Sequence, residues 1–103
     1  MDVDDKVAGN VFSGLGGKRE DVDFLLDVMT EVLSARQKFP STRLVCAALM
    51  EEVGELAQAM LKVAAGKWDE TRIREEAIQV AAMALRCAVE GDPTFTNEYK
   101  EPG

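Results

Sequence analysis

Glu51, Glu52 and Glu55 crowd together in the stretch Leu49-Met50-Glu51-Glu52-Val53-Gly54-Glu55-Leu56-Ala57-Gln58-Ala59-Met60. Around them apolar residues recur at helical spacing: Val45, Leu49, Leu56, Ala59 and Met60. Glu52 falls in that row, so its carboxylate points toward whatever the helix packs on. Glu55 lies one turn further along and Glu51 flanks both. Like charges on one helical face repel by roughly a few tenths of a kcal/mol per pair when exposed, and by more when buried. A cation would relieve that repulsion, and magnesium suits hard carboxylate oxygens. The alternative is a solvated acidic face, since Glu is a good helix former.

A second set of candidates lies downstream. Glu76, Gln79, Met83 and Arg86 follow one another at three- and four-residue steps and so lie along one line of a helix. This predicts that Glu76 and Gln79 face Glu52 and Glu55 across a helix–helix groove. Arg86, two turns on, is then a counter-ion for the cluster or a phosphate contact. The competing readings are a carboxylate favoured by the helix dipole at Glu76 and a buried structural amide at Gln79.

Three helices must position these groups. The first spans about 21–38, with Val22, Leu25, Leu26, Met29, Val32 and Leu33 as a continuous stripe and Asp23, Asp27, Thr30 and Glu31 facing out. Pro40 stops it. The second, about 42–65, is capped by Ser41 or Thr42 and ended by Gly66. Lys67-Trp68-Asp69 connects it to the third, about 70–90, for which Asp69 is a good N-cap. Gly91, Asp92 and Pro93 end that helix. From Ala77 to Val89 only Gln79 and Arg86 are not apolar, so the third helix is buried on most sides. A hairpin of this size cannot cover it, which predicts a helical dimer or higher oligomer with this helix near the centre. Residues 1–20 read as an irregular, glycine-rich N-terminal arm in which Val11, Phe12 and Leu15 can anchor. Residues 21–92 form the helical domain and 93–103 an extended tail.

The 103 residues make one domain that is 47% hydrophobic but only 6% aromatic, a balance suited to close helix packing. The net charge of −7 argues against nucleic acid as a partner, but not against a nucleotide held through metal ions. No apolar run is long enough to span a bilayer and no signal peptide opens the chain, so the expected location is cytoplasmic. The lack of His and of CxxC argues against a zinc site, and Cys46 and Cys87 read as core fillers in a reducing compartment rather than a disulfide.

The string Glu51-Glu52-Val53-Gly54-Glu55-Leu56, then Lys67-Trp68-Asp69-Glu70, Arg72 and Glu75-Glu76-Ala77-Ile78-Gln79, resembles the MazG-like, all-α nucleoside triphosphate pyrophosphohydrolases. Their signature is ExxE on one helix and ExxD on the next, and positions 56–75 match the family's spacer. The likeness covers roughly Arg36 to Glu90. It implies an all-α, antiparallel helical bundle completed as a homodimer or homotetramer. The implied reaction is magnesium-dependent cleavage of a nucleoside triphosphate to the monophosphate and pyrophosphate, of the house-cleaning type. Glu52, Glu55, Glu76 and Gln79 are the implied metal ligands. Glu51 or Glu55 would orient or deprotonate the attacking water. Lys62, Lys67, Trp68 and Arg86 are candidate substrate contacts, although Trp68 reads better as a plug at the bundle end; Arg36, Lys38 and Arg43 are the other cations near the motif, each either within reach of phosphate oxygens or a solvated surface charge. One position departs from the family: Gln79 stands where it has Asp. That leaves open a catalytically weakened module that binds a nucleotide or a protein partner. Related activities on dUTP or phosphoribosyl-ATP stay open too, because the base contacts are not in the motif.

Overall fold

The structure is a computed structural model that describes residues 19–95; Val11, Phe12 and Leu15 lie outside the described residues. It is all-helical: α1 (Arg19–Lys38), α2 (Val45–Ala64), α3 (Thr71–Val89), then a short 3-10 turn at Pro93–Phe95. The turn replaces the start of the extended tail, because the Thr94 amide donates to Asp92 Oδ1 at 2.9 Å. No helix among the described residues is long and apolar enough to cross a membrane.

Local chemistry sets the helix ends. In α1, Glu20 and Asp21 lie in the first turn and Arg36 and Lys38 in the last, matching the macrodipole. At the end of α2, Gly66 adopts φ 74°, and the amides of Lys67 and Trp68 both donate to the Lys62 carbonyl. That left-handed residue lets the chain turn back while satisfying the last carbonyls. Asp69 caps α3 as its sequence suggests: its Oδ1 accepts the Thr71 amide at 2.8 Å.

The start of α2 departs from expectation. Neither Ser41 nor Thr42 caps it through a side chain; Ser41 Oγ accepts only the Arg43 amide, and Leu44, at φ 64°, stands at the N-cap. A left-handed leucine is strained by roughly 1–3 kcal/mol. The cap comes instead from the far end of α3, where Asp92 Oδ2 accepts the Cys46 amide at 3.2 Å. Asp92 is 3% exposed.

α3 packs against both α1 and α2, which do not pack against each other. α2 and α3 are antiparallel neighbours. α1 runs along α3 in the same direction: Asp27 pairs with Arg74 at 2.8 Å near both starts, and Arg36 with Glu90 at 3.3 Å near both ends. Consecutive helices thus alternate in direction, and the first and third run parallel. Val28, Val32 and Ala82 form the core, covered by Phe24, Ile78, Ala81 and Leu85.

α1 also presents a different face from the expected one. Phe24, Val28, Val32 and Ala35, at four- and three-residue steps, meet the interior. Of the expected stripe only Val32 is buried. Val22, Leu25, Leu26, Met29 and Leu33 stay exposed on the outside of α1. The apolar side of α1 is wide enough for two contacts, and α3 fills one.

The cap sets the acid limit of the fold. Burial opposes the Asp92 charge, but the amides of Thr94, Cys46 and Leu44 outweigh it and hold the carboxyl at about 2, below its ordinary 3.8. A carboxyl lowered on folding stabilises above its unfolded value and loses that contribution as pH falls through its folded one. Thermal unfolding followed by circular dichroism should therefore show a midpoint that drops between about pH 4 and pH 2. Asp92→Asn should lower the midpoint by several degrees at pH 7 and flatten the acid limb. An unchanged acid limb in that variant would remove Asp92 as the cause.

Candidate functional site

The carboxylates meet on the α2–α3 seam. Leu49 and Leu56 are half-buried and Ala59 fully buried against α3, which fixes the rotation of α2 and turns Glu52 partly inward. On α3, burial of Ala82 toward α1 turns Glu76 and Gln79 toward α2. One oxygen from each of Glu52, Glu55 and Glu76 lies within 4.8 Å of the others. Glu52 is half-buried, Glu55 exposed and Glu76 half-buried.

The electrostatics follow from that crowding. Burial first, then a proton shared with Glu55 and its charge, then the charges of Glu76 and Glu51, push the Glu52 carboxyl up to about 7. Burial, the charge of Glu55 and a proton shared with it also raise Glu76, with Arg72 opposing. When both carboxyls are ionised neither can donate, and Glu52 Oε2 is buried with no hydrogen-bond partner. An all-oxygen set with an unpartnered buried oxygen fits a hard cation such as magnesium.

A groove of about 790 Å³ starts at this seam and runs between α1 and α2 over α3, a volume within the range of small-molecule sites. It exists because α1 and α2 do not touch. Glu51, Glu52 and Gln79 line it, as do Phe39, Leu44 and Met83. Its lining stops short of Glu55 and Glu76, so Glu52 is the residue that groove and cluster share. Of its charged lining residues, Lys38 ends α1 and Arg43 lies just before α2, while Glu31 stands two turns back along α1 and Glu51 and Glu52 two turns into α2. From Val45, the first residue of α2, to Glu52 the helix rises about 10 Å.

The remaining sequence candidates are placed elsewhere. Lys62 and Lys67 do not line the groove; Lys62 is about 15 Å along α2 from Glu52. Trp68, half-buried in the α2–α3 connection, carries the Arg72 guanidinium 4.5 Å from its ring centroid. Arg86 lines the groove but is 1% exposed, and it binds Glu90 Oε2 at 2.8 Å rather than neutralising the cluster. Glu90 also pairs with Arg36, and the hydrogen bond from Arg86 leads the causes that lower its carboxyl.

Several residues were not among the sequence candidates. Arg72 lies beside the cluster, 3.4 Å from Glu75 and 4.0 Å from Glu76. Its i, i+4 relation to Glu76 was the available signal. Glu90 likewise stands four residues after Arg86. Lys38 and Arg43, by contrast, are among the cations nearest the motif in sequence, and both line the groove, whereas Arg36 does not. No protein-family model, curated protein or solved structure matches this chain.

A carboxyl raised on folding contributes stability that is present below its unfolded value, near 4.5, and is lost as pH rises through about 7. Glu52→Gln should therefore raise the unfolding midpoint at pH 8 by a few degrees when divalent cations are absent. Magnesium should raise the wild-type midpoint and leave that of the variant nearly unmoved. Differential scanning fluorimetry at pH 8 with and without magnesium reads both. An unchanged wild-type midpoint with magnesium would mark the cluster as a solvated acidic face.

Proposed function

We propose that this chain is a magnesium-dependent nucleoside triphosphate pyrophosphohydrolase that works as a homo-oligomer. The observation that carries the reading is the carboxylate set: Glu52, Glu55 and Glu76 converge within 4.8 Å at the edge of an open groove. The MazG-like pattern of residues supports it, with Gln79 as the one departure.

Bound magnesium would neutralise charge on the triphosphate as the bond between its α- and β-phosphates breaks. Glu52, Glu55 and Glu76 hold the cation. Glu51, exposed on the groove, or Glu55 orients the attacking water and takes its proton. Gln79 offers a neutral amide oxygen beside Glu52, a weaker ligand than a carboxylate. Lys38 and Arg43 line the groove and pair with no carboxylate among the described residues, which suits them to phosphate oxygens, whereas Arg86 is already matched by Glu90.

A second reading is a weakened module that binds a nucleotide or a protein. Gln79 favours it, because a neutral residue at this position lowers cation affinity. Release of pyrophosphate over a panel of canonical and damaged nucleoside triphosphates separates the two. The enzyme should turn over with magnesium, and Glu52→Gln or Glu76→Gln should lower the rate by at least about 100-fold, since a lost metal ligand forfeits several kcal/mol of charge stabilisation. Gln79→Asp should raise the rate at limiting magnesium. Nucleotide binding without turnover in both wild type and Gln79→Asp would favour the module.

The outer face of α1 supports self-association. Val22, Leu25, Leu26, Met29 and Leu33 are each at least 40% exposed. Full burial of one such side chain contributes about 1.5–3 kcal/mol. The sequence predicts association through the first and third helices; the first exposes this whole row of large apolar side chains, and α3 exposes Val89. Sedimentation velocity at micromolar concentration should show a dimer or larger species, and Leu26→Glu with Leu33→Glu should return a folded monomer. A wild type that is already monomeric would end this part of the reading.

A further inference from the structure

Cys46 and Cys87 stand apart from the carboxylate cluster and have no part in the chemistry above. Cys46 lies in the first turn of α2 and Cys87 in the last turn of α3, 41 residues apart. Their sulfurs are 3.7 Å apart and share a hydrogen bond. Both are free and half-buried.

We infer that Cys46 and Cys87 are a modification site: a thiol pair that a peroxide oxidises to a reversible disulfide tying the start of α2 to the end of α3. Two observations converge on it. The first is the sulfur–sulfur approach, which needs only about 1.7 Å of closure to reach bonding distance. The second is the fixed backbone around the pair. The Cys46 amide is held by Asp92, which leaves α3 five residues after Cys87, so the two helix ends are already joined beside the sulfurs.

The reaction balances with the peroxide as oxidant. One sulfur attacks the peroxide; the O–O bond breaks, a sulfenic acid forms and one water leaves. The second sulfur attacks the sulfenic sulfur; the S–S bond forms, the S–OH bond breaks and a second water leaves. The two sulfurs lose two electrons in all, and the peroxide oxygens gain them. A dithiol reductant reverses the change.

The bond closes a long loop that contains most of α2, the connection and most of α3. A cross-link of that span restricts the unfolded chain strongly. It also fixes the α2–α3 spacing where Val45, Ala47, Ala48 and Arg86 line the groove, at the end away from the carboxylates.

The test uses the full chain treated with hydrogen peroxide, alkylated, and measured by intact mass and thermal unfolding. The wild type should lose the mass of two hydrogens and both alkylatable thiols, and remain a single chain on a non-reducing gel. Its unfolding midpoint should rise by at least about 5 °C and return on reduction with dithiothreitol. Cys46→Ala and Cys87→Ala should each keep one alkylatable thiol or take up oxygen, with no such rise. Should either variant fail to fold, peptide mapping of the oxidised wild type decides the linkage directly. Two thiols still open to alkylation, oxygen mapped to Cys46 or Cys87 rather than to methionine, or a disulfide between chains would each overturn the inference.

Discussion

α3 is the one helix that both others touch, so every relation between α1 and α2 passes through it. This imposes two apolar faces on one helix. Ile78, Ala81, Ala82 and Leu85 serve α1, while the line through Glu76, Gln79 and Met83 turns toward α2 and the groove. The near-continuous apolar run from Ala77 to Val89 follows from that double duty. Small residues make it possible: Ala35, Ala59 and Ala82 are all buried, and small side chains at a helix contact permit the shorter interaxial distances. The groove is the other side of the same arrangement. Two helices held apart by a third leave a channel above it.

The α2–α3 seam carries a buried or half-buried carboxylate at each end, and the two behave in opposite ways. Asp92 accepts backbone amides from Cys46 and Thr94 and stays ionised in spite of burial. Glu52 has no donor near it, only other carboxylates, and holds its proton toward neutrality. Burial acts on both alike; the difference is the presence of N–H groups. The first carboxylate is complete as part of the fold. The second is left unpaired unless a cation or a proton joins it.

Much of this was legible in the sequence. Helical periodicity places α2 and α3 to within a few residues, and Gly66 and Asp69 act at the helix ends as their types suggest. The inward rotation of Glu52 follows from its place among Leu49, Leu56 and Ala59. What was not legible depends on contacts remote in the chain. The stripe on α1 shows that the helix has an apolar side, but not which part of it meets α3; Phe24 and Val28 take that part and leave Leu26 and Leu33 outside. The cap on α2 comes from Asp92, 46 residues beyond the amide it receives, and no local motif announces such a partner. Lys62 and Lys67 lie near the glutamates in sequence, yet a helix carries them away from the groove at about 1.5 Å per residue.

The distribution of charge along the groove gives it a polarity. Glu31, Glu51 and Glu52 hold one part, Lys38 and Arg43 the other, and Arg86 adds little because Glu90 already cancels it. The low-dielectric walls between them concentrate the resulting field. An elongated molecule with a negative end and a neutral end therefore meets unequal potentials along the channel. Alone, it is turned with its anionic end toward Lys38 and Arg43. With a divalent cation seated among the carboxylates, the negative part loses some of its charge and the gradient weakens. Occupancy at the seam thus sets how strongly the channel orients a ligand.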